Sequence, residues 1–258
     1  MSGPRRIDLN CDLGESFGAW RMGDDAALLG IVSSANIACG FHAGDPQIMR
    51  GTVALAVEHG VAIGAHVALP DLQGFGRREM AVSPSEVYAM TLYQLGALHA
   101  FAHAAGTRVE HLKAHGALYH MAARERPLAD AIARAARDFD PALRLVGLAG
   151  SALLDAGRAA GLRVAAEAFA DRRYRADGTL QPRGAADALI HDEAEAAAQA
   201  RAIARGEPLR TVDGDSLVVA ADTLCLHGDG AQAVRFAQAL RAALEADGVR
   251  IAAATAAA

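Results

Sequence analysis

Residues 110–120 read EHLKAHGALYH, which places three histidines and a lysine in eleven positions. As a helix, this stretch would set His111 and His115 on one face, four residues apart, where a pair can grip a metal. As a strand, period-2 alternation would line His111, Lys113 and His115 along one side of a sheet. The flanks decide between the two. Gly106 closes the preceding helical segment, Thr107-Arg108-Val109 lead straight in, and Gly116 follows His115 directly. A helix would have to start and stop within one or two turns, so the stretch reads as a strand tip. The metalloprotease pattern HExxH also fails, because Lys113 neither stands at its glutamate position nor binds metal while protonated.

Outward from this tip, short apolar strands alternate with longer helical segments. Candidate strands are RIDLNCD (6–12), ANIACGFH (35–42), VAIGAHV (61–67), VEHLKAH (109–115), LRLVGLA (143–149), LRVAAEAF (162–169) and TLCLHGD (223–229). The helical stretches between them are well punctuated: Asp45-Pro46 and Ser83-Pro84 each supply an N-cap followed by proline at the first helical position, and Gly60, Gly106 and Gly161 close helices. Seven strands alternating with helices predict a parallel α/β sheet with right-handed crossovers. A length of 258 residues favours one closed or nearly closed barrel over residues 1–250, with 251–258 as a frayed alanine-rich tail.

Bulk properties narrow the class further. With 52% hydrophobic and 21% charged residues, a sizeable core is expected and disorder is not. A net charge of −5, without a basic stripe carrying interleaved aromatics, argues against nucleic-acid binding. No run approaches the ~20 apolar residues of a membrane span, and the N-terminal segment carries Asp8 and Asp12 where a signal peptide needs an apolar run. Three cysteines without a CxxC pair suit a reducing compartment, so a cytoplasmic protein is expected. Self-association into a homo-oligomer stays open.

The strands share a pattern in which one face is apolar and the other turns polar toward the C-terminal end. Asp8, Asn10 and Asp12 share a face, as do Asn36 and His42, His66 with Gly64, His111 with Lys113 and His115, Glu167 with Asp171, and His227 with Asp229. Parallel barrels keep their functional residues at that end. Six such tips together point to a polar catalytic cavity. Asp12, His42 and His66 make a plausible first shell for a divalent metal, or an acid–base set without one. Lys113 beside His115 offers positive charge for an anionic substrate group. Asp45 has two readings, helix cap or site residue. Arg77-Arg78 on the glycine-rich loop LPDLQGFGRREM suits phosphate or carboxylate binding, or is a solvated surface pair. YRADGTLQ (174–181) reads as a hairpin with a DG turn, forming a lid or side wall that brings Arg172 and Arg183 as further anion contacts. There is no GxxxxGK[ST] phosphate loop.

The segments DLNCDLGESFG, SSANIACGFHAGDP, GAHVALPDLQGFGRR, HLKAHGALYH, EAFADRRY and CLHGD resemble, in order and spacing, the 5-oxoprolinase A-subunit family, also known as LamB/YcsF lactam-utilisation proteins. The resemblance runs from about residue 7 to about residue 245. It implies a distorted seven-stranded β/α barrel of the glycoside hydrolase/deacetylase type. It also implies ATP-dependent opening of 5-oxo-L-proline (pyroglutamate) to L-glutamate with two partner subunits, Mg2+ accompanying the nucleotide. On this chain it implies a pocket of Asp12, Glu15, His42, His66, Lys113 and His115, surrounded by Asn10, Arg77, Glu167, Asp171, Arg172, His227 and Asp229. In the wider deacetylase class, an Asp-His-His metal triad falls at positions like Asp12, His42 and His66. Where the family reads GAHPSYPD and HVKPHGALYN, this chain carries Val67, Ala68, Leu69, Ala114 and His120, which bears on loop shape and substrate fit more than on reaction type. Two rival readings are a stand-alone metal-dependent deacetylase or amidohydrolase and a non-catalytic substrate-binding subunit.

Overall fold

The computed structural model describes residues 5–182, 184–226 and 233–255. Seven parallel strands close on themselves: β1 (Arg6–Leu13), β2 (Ser34–Ala38), β3 (Ala62–Val67), β4 (His111–Ala114), β5 (Arg144–Leu148), β6 (Arg163–Phe169) and β9 (Thr223–Leu226). β9 pairs with β6 through Glu167–Thr223 and with β1 through Asn10–Cys225, which completes the barrel. A two-stranded hairpin, β7 (Leu209–Arg210) with β8 (Ser216–Leu217), precedes β9. At the opposite end from the mouth, β10 (Arg250–Ile251) pairs with Arg6 and Ile7 of β1, so Ile251 belongs to a strand rather than to a frayed tail.

The helices ring the outside: α1 (Asp25–Leu29), α2 (Pro46–Glu58), α3 (Pro84–Ala104), α4 (Gly116–Arg124), α5 (Arg126–Phe139), α6 (Ala152–Ala159), α7 (Glu193–Arg205) and α8 (Ala233–Ala246). Their starts follow the predicted chemistry. Asp45 accepts hydrogen bonds from the Gln47 and Ile48 backbone at 2.8 and 3.0 Å, so it acts as a helix cap. Ser83 and Glu86 form a reciprocal capping box at α3. Between helices and barrel lies the apolar face of each strand, including Leu9, Cys11, Ile37, Ile63, Leu112, Leu145 and Leu224, all buried. Each aliphatic side chain of this set contributes about 1.5–3 kcal/mol by leaving water.

The structure departs from the sequence reading in three further places. The strand read as 35–42 ends at Ala38, because Gly40 and Gly44 adopt positive φ and turn the chain, so His42 comes from a loop. His120, expected on a loop, sits in α4, a nine-residue helix that starts at Gly116. The hairpin β7–β8 lies in a stretch where the sequence pattern predicts no strand. The predicted turn at 174–181 is present as a Tyr174–Leu180 bridge around Arg175–Gly178.

Candidate functional site

The polar faces of the strands fill the barrel interior in layers, ordered by position along β1. The floor belongs to Asp8, whose carboxylate accepts hydrogen bonds from Ser33 (2.6 Å), Ser34 (2.8 Å) and Thr223 (2.6 Å). Burial pushes its carboxyl above the usual carboxylate range, and the three hydroxyls pull it partly back. The middle layer is an amide network. Asn10 donates to Glu167 at 3.0 Å and Thr223 at 2.7 Å, while Asn36 donates to Asn10 and Asp12 at 2.7 and 2.9 Å. His111 contacts the Asn36 side-chain carbonyl oxygen at 2.8 Å; burial, and then the neighbouring Lys113, depress its pKa to about 3. Gly64 makes room for that ring, since a Cβ there would stand 2.0 Å from His111 Nε2.

Lys113 crosses from this layer toward the mouth. Its ammonium lies 2.9 Å from Asp12 Oδ1, 2.9 Å from Glu167 Oε1, 3.2 Å from Asn10 Oδ1 and 3.1 Å from Cys225 Sγ. Burial disfavours the charge, but Asp12, Cys225 and Glu167 overcome it and raise the pKa well above the ordinary lysine value. The Lys113 charge, expected from the sequence beside His115, is thus countered from within the barrel by Asp12 and Glu167. Burial also opposes the charge on Asp12, yet His66 and Lys113 hold its carboxyl well below the usual range.

The mouth collects the histidines. His66 Nε2 lies 3.2 Å from Asp12 Oδ2 and 2.9 Å from His115 Nδ1, and its Nδ1 faces the Lys113 carbonyl at 3.3 Å. His115 Nε2 meets the Phe75 carbonyl at 2.8 Å. His42 stacks on His115 with ring centroids 3.8 Å apart and 8° between planes, and its Nε2 lies 3.2 Å from Glu15 Oε1. Burial is the first reason that His42 and His115 fall well below the ordinary histidine pKa, and neighbouring imidazoles add to it. One ligand atom each from Glu15, His42, His66 and His115 falls within 4.8 Å of the others, a set able to hold a divalent cation. Asp12, named with His42 and His66 as candidate metal ligands, flanks this set through Oδ2.

Two loops shape this mouth. Gln94 of α3 is buried and clamps the Ala68 backbone by 2.9 and 3.0 Å bonds just after β3. Beyond it, Arg78 is bonded to Asp71 within the 70–78 loop, which holds the Asp71 carboxyl down at about 2. Phe75 takes a left-handed φ of 54°, an unusual backbone for a non-glycine residue, and this turns its carbonyl onto His115. Gly76 then passes so close to α4 that a Cβ on Gly116 would stand 2.5 Å from the Gly76 oxygen.

Above the cluster is a cavity of about 480 Å3. Asp12, Glu15, His66, Lys113 and His115 form its base, and Arg77 and Arg172 line it. Leu180 and Gln181 from the 174–181 turn line it too, so this turn forms a side wall. Arg77 lies over the Phe75 ring at 5.0 Å, and buried Arg172 donates to the Gln181 carbonyl at 2.7 Å. Asn10, Glu167, His42 and Asp171 do not line the cavity: the first two lie beneath Lys113, His42 backs His115, and Asp171 follows β6. His227, Asp229 and Arg183 lie outside the described residues. Tyr119, His120 and Arg124 also line the cavity, where strand alternation does not predict them. The only sequence signal for them is GALYHMAAR, a run of helix formers after Gly116 that extends past a turn.

A closed parallel β/α barrel with a carboxylate–imidazole–lysine cluster under a cavity at the C-terminal mouth defines an enzyme-like class. Residues 7–258 match the LamB/YcsF family model, and the chain belongs to that family. It is 58% identical over 248 residues to the 5-oxoprolinase A subunit of Bordetella pertussis, covering 96% of this chain and 98% of the relative. It is also 58% identical to the 5-oxoprolinase A subunit of Geobacillus kaustophilus, covering 96% of each. Among solved structures, a lactam utilization protein from Thermus thermophilus superposes with a TM-score of 0.91 at 50% identity, covering 96% of this chain and 99% of the other.

Proposed function

We propose that this chain is the A component of an ATP-dependent 5-oxoprolinase, working with two further subunits to open 5-oxo-L-proline to L-glutamate. The naming of relatives at 58% identity along nearly the whole length supports the reaction class. The observation that carries the site assignment is the pairing, in one cavity, of an ionised acid at the base with arginines on the wall. A five-membered lactam carries a ring N–H donor and a carboxylate. In this reading Asp12 accepts the N–H, and Arg77 and Arg172 take the carboxylate, which fixes the ring over the cluster. The cavity suits a ligand of this size.

The unstrained amide explains the need for ATP. Phosphoryl transfer to the lactam oxygen releases ADP, and water adds to the same carbon. The C–N bond then breaks as the nitrogen takes a proton, and a second water releases phosphate from the acyl phosphate. The balance is one lactam, one ATP and two waters giving glutamate, ADP and phosphate. Magnesium accompanies the nucleotide, as phosphate chemistry requires.

The test is glutamate release from 5-oxoproline, with and without ATP and the partner subunits. Release that needs all components is expected. No release from the complete set overturns the proposal. Chelator-sensitive, ATP-independent hydrolysis of a simple amide by this chain alone also overturns it, in favour of a stand-alone amidohydrolase.

A further inference from the structure

We infer that Glu15, His42, His66 and His115 form a binding site for one first-row divalent transition-metal ion of the zinc, cobalt or nickel kind. Backbone carbonyls fix which ring nitrogens carry hydrogen. A carbonyl oxygen only accepts, so the 2.8 Å contact with Phe75 assigns the hydrogen of His115 to Nε2. The 3.3 Å contact with the Lys113 carbonyl likewise assigns the hydrogen of His66 to Nδ1. In neutral rings, His115 Nδ1 and His66 Nε2 are then both lone pairs, yet they face each other at 2.9 Å.

Carboxylate oxygens crowd the same spot. Asp12 Oδ2 is 3.2 Å from His66 Nε2, and Glu15 Oε1 is 3.7 Å from His115 Nδ1 and 3.2 Å from His42 Nε2. At the His66–His115 contact acceptor meets acceptor, a buried arrangement that a cation between the two rings relieves. A proton held between the rings joins His66 and His115, whereas a metal ion also gathers the Glu15 carboxylate and the buried His42 ring, whose ligand atoms lie within 4.8 Å of theirs.

The spacing and surroundings suit a metal. Bonds of about 2.0–2.2 Å in a tetrahedral site put neighbouring ligand atoms about 3.4 Å apart. The contacts of 2.9, 3.2 and 3.7 Å bracket that value, and all four ligand atoms fall within 4.8 Å of one another. The backbone carbonyls on the far ring nitrogens of His66 and His115 are the outer partners that ligating histidines ordinarily have. Three imidazoles with one carboxylate select zinc, cobalt or nickel over magnesium, which prefers oxygen ligands. Glu15, His66 and His115 line the cavity while His42 is fully buried, so the ion faces the cavity. None of this depends on which amide the protein acts on.

The experiment uses the full chain without an affinity tag, stripped with a chelator and titrated with zinc chloride, cobalt chloride or magnesium chloride. Metal content after gel filtration and the visible absorption of the cobalt form are read without substrate, ATP or partners, so the outcome is separate from the 5-oxoprolinase assay. One zinc per chain, intense four-coordinate cobalt bands and no competition from magnesium are expected. His115→Asn weakens zinc by more than about 100-fold, beyond the loss of an outer partner, and Glu15→Gln also weakens it. The exposed pair His99 and His103 on α3 could capture metal at the surface, so a His99→Ala, His103→Ala control should keep the stoichiometry. Substoichiometric zinc in the wild type, or unchanged binding in His115→Asn, overturns the site. If the variants do not fold, weak six-coordinate cobalt bands in the wild type overturn it alone.

Discussion

Asp8 and Asp12 stand four residues apart on the same face of the same strand, and their surroundings differ in kind. At the floor, Asp8 faces three hydroxyl donors, so its acceptors are matched by neutral groups. At the mouth, Asp12 accepts from Lys113 and Asn36 through one oxygen and presents the other to His66, where nitrogen and oxygen lone pairs accumulate. A buried layer whose donors and acceptors match holds a shape. One with surplus acceptors awaits a cation, a proton or a substrate donor. The barrel keeps its structural polarity and its chemical polarity at opposite ends of one strand, joined by Lys113.

That contrast can be broken by experiment. The largest effect is expected at the mouth. Asp12→Asn should lower kcat/KM for coupled glutamate release by about 100- to 1000-fold, the scale of losing one preorganised electrostatic group. Near-wild-type turnover would remove Asp12 from the site. At the joint, Lys113→Ala leaves Asp12 and Glu167 without their shared countercharge and should cost about 3–5 kcal/mol of stability in chemical denaturation. A loss below about 1 kcal/mol, the scale of exposed pairs, would mean that solvent already screens the two acids.

In the middle layer, Gly64→Ala should destabilise by about 1–3 kcal/mol through overpacking against His111. Combination with His111→Ala should recover part of that loss, and strict additivity would show that the ring is not the obstacle. The smallest effect is expected at the floor. Asn at position 8 can accept from the serines and donate to Thr223, so Asp8→Asn should change stability by less than about 1 kcal/mol at neutral pH. Its signature is instead a slope. The folded-state pKa of Asp8 is raised, so the folded chain holds that proton more tightly than the unfolded one. The contribution of Asp8 is then most favourable below the ordinary carboxylate pKa and declines as pH rises toward the folded value. Denaturant midpoints across that window should show the decline in wild type and not in Asp8→Asn.

Much of this is legible in the sequence because strand alternation is a local property. The placement of Asp12, His66, Lys113 and His115 at strand ends follows from period two and from the glycines around them. The helix at 116–124 escapes that reading because Gly116 looks like a stop, whereas it opens a helix pressed against Gly76. The partners of Lys113 escape that reading too, because Glu167 and Cys225 are distant in the chain.

The sequence by itself determined a seven-stranded parallel barrel, its helix caps and the mouth as the polar end, since periodicity, capping and glycine placement act over a few residues. Only the tertiary structure decided which polar groups meet. Barrel closure brings β9 against β1 and β6, sealing Lys113 among Asp12, Glu167 and Cys225. The left-handed turn at Phe75 aims one carbonyl at His115 and so determines which nitrogen of that ring faces His66. These are distances between residues about 40 to 110 positions apart, and no local pattern encodes them.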